Sequence, residues 1–412
     1  MVLWCCGAST NGYVVMPRHG GRGLRVQKVL LIQHGDFREA YQRFADNGLE
    51  TYRDQKKSVD FVSGLAPAKT VTTLTIGDQH YGRVALADHL YAGGILQSDL
   101  NADAISKIFD TVDPTHVILR SPYLEFLKEA NYRKLNILPC FADIFEHGGP
   151  RQSWRNFKLR KALSKAQLPC ISNHSLNASR SLAAVLKIPP EKIVPWDWSA
   201  VPSAGSEKAG VLDPMHPTAF FAGAMTDEKG VGDCLHAIAL LHKEGLFFRL
   251  SLAGGGDLDK WQSLAKDLNI DTHVRFLGTV ANAQVRQEMR THDFVLVPSR
   301  HSYAEGLPNT IYEALASRSV LVMSDHPAFA GRLIPDRECI VFPAADPTAL
   351  AQALQRATQS AEIYQGISAR SLDAHDRLYV GMEWSGLIAK FLDDPDDQTG
   401  WVAQNSLATL AG

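Results

Sequence analysis

Short apolar runs alternate with stretches of helical period along most of the chain. Lys28–Gln33 reads as a first strand that stops at His34-Gly35-Asp36. Further strands are predicted at 71–76, 116–119, 135–141 and 170–172, with helical patterns between them, for example 38–45 and 123–130. Strands separated by helices argue for parallel sheets in an α/β protein. Pro195-Trp196-Asp197-Trp198 and then 201–217 are rich in Pro, Gly, Ser and Ala and show no period, so a domain linker is expected there. A second series of strands follows at 219–222, 248–253, 274–277, 294–297, 320–323 and 339–342. Residues 362–392 read as helical, with Trp384, Leu387, Ile388 and Phe391 at helix spacing. Two α/β halves joined by a linker imply a cleft, and ligands of such sheets bind at the carboxyl ends of the strands.

Bulk composition narrows the class without naming it. The chain has 412 residues, 45% hydrophobic and 21% charged, as expected for a globular protein of two or three domains. A net charge of −2 gives no global field to recruit nucleic acid. Six cysteines (Cys5, Cys6, Cys140, Cys170, Cys234, Cys339) lack paired metal-type spacing and read as reduced, which predicts a cytoplasmic chain. No apolar run reaches the roughly 18 residues of a membrane span. Met1 to Arg25 lacks a basic region followed by an apolar core, so no secretory signal is read there. That stretch is glycine-rich and patternless, and a disordered tail is expected.

The most informative segment is Glu305-Gly-Leu-Pro-Asn-Thr-Ile-Tyr-Glu313, which follows the strand at 294–297 and precedes the one at 320–323. Gly306 permits a tight loop and Pro308 suits the first turn of a helix. With Leu307, they mark a helix N-terminus able to hold a phosphate. The two carboxylates lie on the order of 10 Å apart at about 1.5 Å per helical residue. That separation suits hydroxylated groups on either side of a diphosphate, the layout of a nucleotide sugar. As ionised acceptors, Glu305 and Glu313 match sugar hydroxyls.

This segment resembles the donor-site motif of the retaining GT-B glycosyltransferases of family 4 (glycosyl transferases group 1): Glu-x7-Glu ending in Glu313-Ala314-Leu315-Ala316. The likeness extends over 217–350 and is loose in the first half. It implies two Rossmann-like parallel-sheet domains facing a cleft, with a C-terminal helix crossing back to the first. The implied boundaries are a tail (1–26), an acceptor domain (27–198), a linker (199–216), a donor domain (217–375), the crossover helix (376–395) and a second tail (396–412). It further implies that Glu313 holds the nucleotide ribose and that Glu305 contacts the transferred sugar.

Other positions match the family in part. Lys229 fits the lysine of a Gly-Arg…Lys-Gly run that grips the donor diphosphate, but the arginine position is Ala224. Arg300 is a candidate replacement for the missing cation. Gly254 and Gly255 resemble the Gly-x-Gly turn where backbone approaches the donor, though a simple strand-to-helix turn explains them equally. Gly35 falls where the family places phosphate- and acceptor-contacting backbone. Asp143 remains from a His-Asp pair whose histidine position is Ala142. His147 is a candidate substitute for that histidine. Asn173-His174-Ser175 resembles a cleft turn, with helix capping as the simpler role.

Between Arg151 and Lys165 stand six basic residues and no acid, interleaved with Trp154, Phe157 and Leu163. Two readings stand: an interfacial helix on an anionic bilayer, or a solvated helix face. The expected activity is transfer of a hexose from a nucleotide sugar to a glycan or lipid-linked acceptor with retention, without metal or other cofactor. The expected location is cytoplasmic or peripheral at the inner membrane face. Lys229, Glu305 and Asp143 are the catalytic candidates. Two alternatives share the architecture: a donor-binding scaffold of weak activity, favoured by Ala224 and Ala142, and a sugar-nucleotide epimerase.

Overall fold

The computed structural model describes residues 26–203, 208, 212–303 and 305–410. All but the last residue of the tail expected over 1–26, and part of the expected linker, lie outside the described residues.

The first sheet comprises β1 (Lys28–Gln33), β2 (Thr70–Gly77), β3 (Tyr81–Ala87), β4 (Leu90–Leu96), β5 (His116–Leu119), β6 (Asn136–Phe141), β7 (Ile171–His174) and β8 (Ile193–Trp196). Their spatial order is β3-β4-β2-β1-β5-β6-β7-β8. The central strand β1 pairs in parallel with both β2 (Val29 opposite Val71) and β5 (Val29 opposite His116), so its four inner residues are buried on both faces. The second sheet comprises β9 (Thr218–Ala222), β10 (Arg249–Ala253), β11 (Val274–Gly278), β12 (Phe294–Val297), β13 (Val320–Ser324) and β14 (Ile340–Phe342), ordered β11-β10-β9-β12-β13-β14. It is parallel throughout. Helices cover both sheets, which makes two doubly covered α/β domains of the expected class.

Four features depart from the sequence reading. First, β3 and β4 form an antiparallel hairpin at the sheet edge. β3 is mostly exposed and so carries no apolar run, while Gly94 of β4 sits beneath Tyr81, where a Cβ would fall 2.3 Å from the ring. Second, the stretch expected to begin the linker contains β8, all of whose residues are buried. Pro195 is tolerated there because β8 is an edge strand, and Trp196 donates from Nε1 to Phe141 O at 3.1 Å.

Third, the predicted C-terminal helix is two helices, Ala361–Leu378 and Trp384–Asp393. The first packs on the second domain through Ala374 and Leu378. The chain then crosses near Gly381, where φ is +81° and glycine is favoured. At the crossing Asp197 N donates to Met382 O and Trp384 N to Asp197 O, both at 2.9 Å. The second helix inserts Trp384, Leu387, Ile388, Phe391 and Leu392 into the core of the first domain. Each such side chain contributes about 1.5–3 kcal/mol by leaving water. Fourth, the expected tail at 396–412 includes two short helices, Trp401–Gln404 and Leu407–Leu410, which bury Trp401, Val402 and Leu407 against the first domain.

Candidate functional site

Glu313 lies in the middle of the helix Asn309–Ala316, which follows β12 and the loop carrying Glu305. Pro308 is the N-cap residue, one position earlier than expected. Only 3% of Glu313 is exposed, and Asn282 Nδ2 donates to its Oε1 at 2.6 Å. Burial pushes its carboxyl above the ordinary value, against smaller lowering contributions from Asn282, Arg53 and Arg286. It faces a pocket of about 230 Å³ at the domain seam. The second domain lines that pocket with Gly223, Gly254, Thr279, Asn309 and Thr310, and the first domain contributes Thr51, Tyr52 and Arg53. Carboxylate, open helix start and glycine-rich floor therefore converge on one cavity at the carboxyl ends of β9, β10 and β11.

Glycine is required in that floor. Gly254 has φ +150°, and a Cβ there would lie 1.7 Å from Gly223 O, so no side chain fits between the two loops. The two loops hold each other through backbone: Gly254 N donates to Gly278 O at 2.8 Å, Gly223 N to Ala253 O at 3.0 Å and Met225 N to Gly255 O at 2.9 Å.

Glu305 and Lys229 are brought together. Lys229 Nζ donates to Glu305 Oε1 in an ion pair whose side chains are 11% and 9% exposed. Ser299 Oγ donates to Glu305 Oε2 at 2.6 Å, and the Tyr303 ring lies 4.5 Å from Lys229 Nζ. The adjoining Gly306 abuts the first domain: a Cβ there would sit 3.4 Å from His174 Nδ1 and 3.5 Å from Ala142 O. The loop between the two glutamates thus meets the ends of β6 and β7 across the cleft. Leu307 is buried in the second-domain core and anchors that loop.

The remaining candidates divide. Arg300, the candidate for the missing cation, forms a forked pair with buried Asp233 from Nε and Nη2 at 2.9 and 2.7 Å. Burial raises the Asp143 carboxyl, with His34 and Arg155 opposing. Gly35 lines a separate first-domain pocket of about 380 Å³, together with His34, Asp36, Tyr52, Arg120, Ala142, Trp198 and Trp384. Tyr52 borders both pockets. His147 is exposed on the loop after β6.

Several residues at the seam carried no signal in the sequence reading. Asp197, read as part of a linker, accepts from Tyr312 Oη at 2.5 Å, Trp198 N at 2.8 Å, and Arg53 Nη2 and His174 Nε2 at 3.3 Å each. Arg53 stacks on Tyr312 at 4.5 Å. A Trp-Asp-Trp run with an acid between two large rings was the available clue; nothing local to Arg53 or Asn282 announces a role.

Residues 216–360 match the family model for glycosyl transferases group 1. That segment begins two residues before β9 and ends just after the helix Pro347–Gln359. The amylovoran biosynthesis glycosyltransferase AmsK of Erwinia amylovora is 26% identical over 139 residues, covering 33% of this chain and 34% of that protein. The phosphatidyl-myo-inositol mannosyltransferase of Mycolicibacterium smegmatis is 28% identical over 176 residues, 42% of this chain and 44% of that one. The matches therefore span less than half the length of these curated relatives. The fold extends further than the sequence likeness. The structure of Anabaena Alr3699/HepE in complex with UDP superposes with a TM-score of 0.60 at 12% identity, over 89% of this chain and 100% of that one. The two-domain architecture is GT-B, and the segment that matches the group 1 glycosyltransferase model makes up most of its second domain. Glu305, Glu313, Lys229 and the Gly254 turn all fall within that domain.

Proposed function

We propose that the protein transfers a hexose from a nucleotide-diphosphate sugar to a hydroxyl of a glycan or lipid-linked acceptor, with retention at the anomeric carbon. The observation that carries this reading is buried Glu313 facing an interdomain pocket whose other walls are a helix start and close-approaching glycine backbone. In it, Glu313 accepts from ribose hydroxyls and the N–H groups opening the helix Asn309–Ala316 meet the diphosphate. Lys229 then exchanges its carboxylate partner for the leaving diphosphate, which frees Glu305 to accept from hydroxyls of the transferred sugar. The acceptor hydroxyl approaches from the first-domain pocket, on the face the diphosphate leaves. Electrostatic stabilisation of the departing diphosphate and positioning provide the catalysis. No covalent carboxylate and no metal enter this scheme, and turnover in the presence of a chelator is the expected result. Names among the relatives support the substrate class: one is an amylovoran biosynthesis glycosyltransferase, another is a mannosyltransferase, and the HepE neighbour holds UDP.

The basic helix supports a peripheral membrane location for the acceptor reaction. Pro150–Leu163 exposes Trp154 and Phe157, 58% and 52%, with their rings stacked at 5.6 Å. Arg151, Arg155, Lys158, Arg160, Lys161 and Lys165 are all exposed on or beside it. Paired aromatic rings among lysines and arginines suit the boundary of an anionic bilayer.

A thermal-shift screen of UDP-, GDP- and ADP-sugars tests the donor assignment; no shift with any of them would end it. Ala224 and Ala142, with Arg300 held by Asp233, favour a donor-binding subunit of weak activity as the second reading. Slow nucleotide-sugar hydrolysis without acceptor separates an enzyme from such a subunit.

A further inference from the structure

The pocket of about 380 Å³ lies in the first domain, at the carboxyl ends of β1, β5 and β6. Its wall at Ala142 touches the Glu305–Gly306 loop, and its wall at Tyr52 is shared with the donor pocket. Whatever occupies it is therefore next to the Glu305–Gly306 loop and the Glu313 pocket.

Arg120 sets its chemistry. It directly follows β5, and its backbone N–H donates to Ile32 O at 3.0 Å, which fixes its direction at the sheet edge. Its guanidinium carbon lies 5.4 Å from the Trp198 ring and 5.1 Å from the Trp384 ring. Among the described residues its side-chain hydrogen bond goes to Gln33 Oε1, a neutral amide, at 3.3 Å. No described carboxylate lies within ion-pair distance of it. Burial pulls its guanidinium below the ordinary value, and the groups opposing that shift are Cys140 and Tyr52 rather than an aspartate or glutamate. The acids of the pocket have partners of their own. Asp36 accepts from Glu39 N at 3.1 Å and Tyr81 Oη at 3.3 Å, and Glu39 accepts from Arg43 at 2.7 Å.

A half-buried cation without a counter-charge is a ready seat for a ligand that supplies one. Guanidinium N–H groups match phosphate and carboxylate oxygens in pairs. The half-buried Trp198 indole beside it suits the apolar face of a sugar ring, and Ser121 lines the same pocket within reach of its hydroxyls. We propose that this pocket selects an acceptor sugar bearing an anionic group, phosphate or carboxylate, seated on Arg120 beside Trp198. The inference rests on the glycosyl-transfer reading only in naming the ligand an acceptor; the anion selectivity belongs to the pocket itself.

The test uses the full chain and measures binding of glucose 1-phosphate, glucuronate, methyl glucoside and inorganic phosphate by ligand-observed NMR, with the nucleotide-sugar thermal shift recorded in parallel. Glucose 1-phosphate or glucuronate, or both, is expected to bind about tenfold or more tightly than methyl glucoside, the order of one charge-assisted contact. Arg120→Gln is expected to erase that preference and Arg120→Lys to keep part of it, with the nucleotide-sugar shift intact in both. Methyl glucoside binding as tightly as the anionic sugars overturns the proposal. So does a preference that survives Arg120→Gln, and so does inorganic phosphate matching glucose 1-phosphate, which would leave an anion site without a sugar. If a variant fails to fold, the wild-type ranking decides. A dodecyl-phosphate-linked glucose separates the sources: tighter binding than glucose 1-phosphate points to a lipid carrier, equal binding to a soluble or glycan-borne group. Absence of any nucleotide-sugar shift in the wild type would sink the donor reading and leave the anion ranking standing by itself.

Discussion

Asn282 donates from Nδ2 to Glu313 Oε1 at 2.6 Å, while its backbone N–H donates to Glu50 O, on the other domain, at 2.8 Å. One residue orients the proposed ribose acceptor and fastens the segment that brings Tyr52 and Arg53 to the same pocket. Removing the side chain, as in Asn282→Ala, leaves the buried carboxylate without its nearest donor.

Glu313→Gln separates function from stability. Burial raises the folded-state value of this acid above the ordinary 4.5. Its favourable contribution is therefore full below about pH 4.5 and lost as pH rises through the higher folded value. At pH 7 to 8 the ionised group costs stability, so the donor-free glutamine variant should melt at a higher temperature than wild type. The difference should shrink as pH falls toward 5. Donor affinity should fall by about 1.5–3 kcal/mol, roughly 10- to 150-fold, as a charge-assisted contact is lost. Calorimetry with the nucleoside diphosphate that gives the largest thermal shift measures this, and unchanged affinity would remove Glu313 from the site.

A double-mutant cycle on Lys229→Met and Glu305→Gln should show a coupling of about 0.5–3 kcal/mol in urea unfolding, because each single change strands a nearly buried partner. Strict additivity would mean the pair is not formed in solution. Glu305→Ala should depress transfer far more than donor binding; near wild-type turnover would deny Glu305 a part in the reaction.

His116 gives the first domain an acid sensitivity. It is buried against Phe391 of the returning helix at 5.6 Å. Desolvation, with a smaller contribution from Lys69, lowers it from 6.5 to about 4. The neutral ring is the folded form, so its contribution is complete above pH 6.5 and lost as pH falls toward 4. Unfolding free energy should decline across that window by at most about 1.4 kcal/mol per pH unit, less in practice because solvent reaches part of the ring. His116→Gln should flatten the slope between pH 6.5 and 5, and an unaltered slope would place the sensitivity elsewhere.

Vesicles containing anionic lipid should sediment with the protein, and Arg155→Glu with Lys158→Glu should weaken that partition by about fivefold or more per charge. Trp154→Ala with Phe157→Ala should weaken it further without changing the nucleotide-sugar shift. Equal partition of all variants would make this helix an ordinary solvated surface.

The sequence made the central β1, the strands of the second domain and the Glu305–Glu313 segment legible, because each is a local pattern: an apolar run, or two acids around a glycine-led helix start. The edge hairpin β3–β4 was not legible, since an exposed strand has no apolar run to betray it. Pro195 and Trp196 read as linker because proline in a strand is tolerated only at an edge, a fact of sheet order rather than of sequence. Arg53, Asn282 and Asp197 matter through partners 31 to 144 positions away, which no local window contains. The partner of Arg300 was hidden for a similar reason: Asp233, 67 positions away, takes two of its donors.

The strands of the first domain precede the second domain in the chain, yet its core also needs Trp384, Phe391, Trp401 and Leu407. During synthesis the second domain can therefore finish first, while the first waits half-built for residues 384–407. Deleting residues 384–407 should injure the first domain, distant from them in chain order, more than the second, and a ligand for the first-domain pocket should protect that segment against proteolysis.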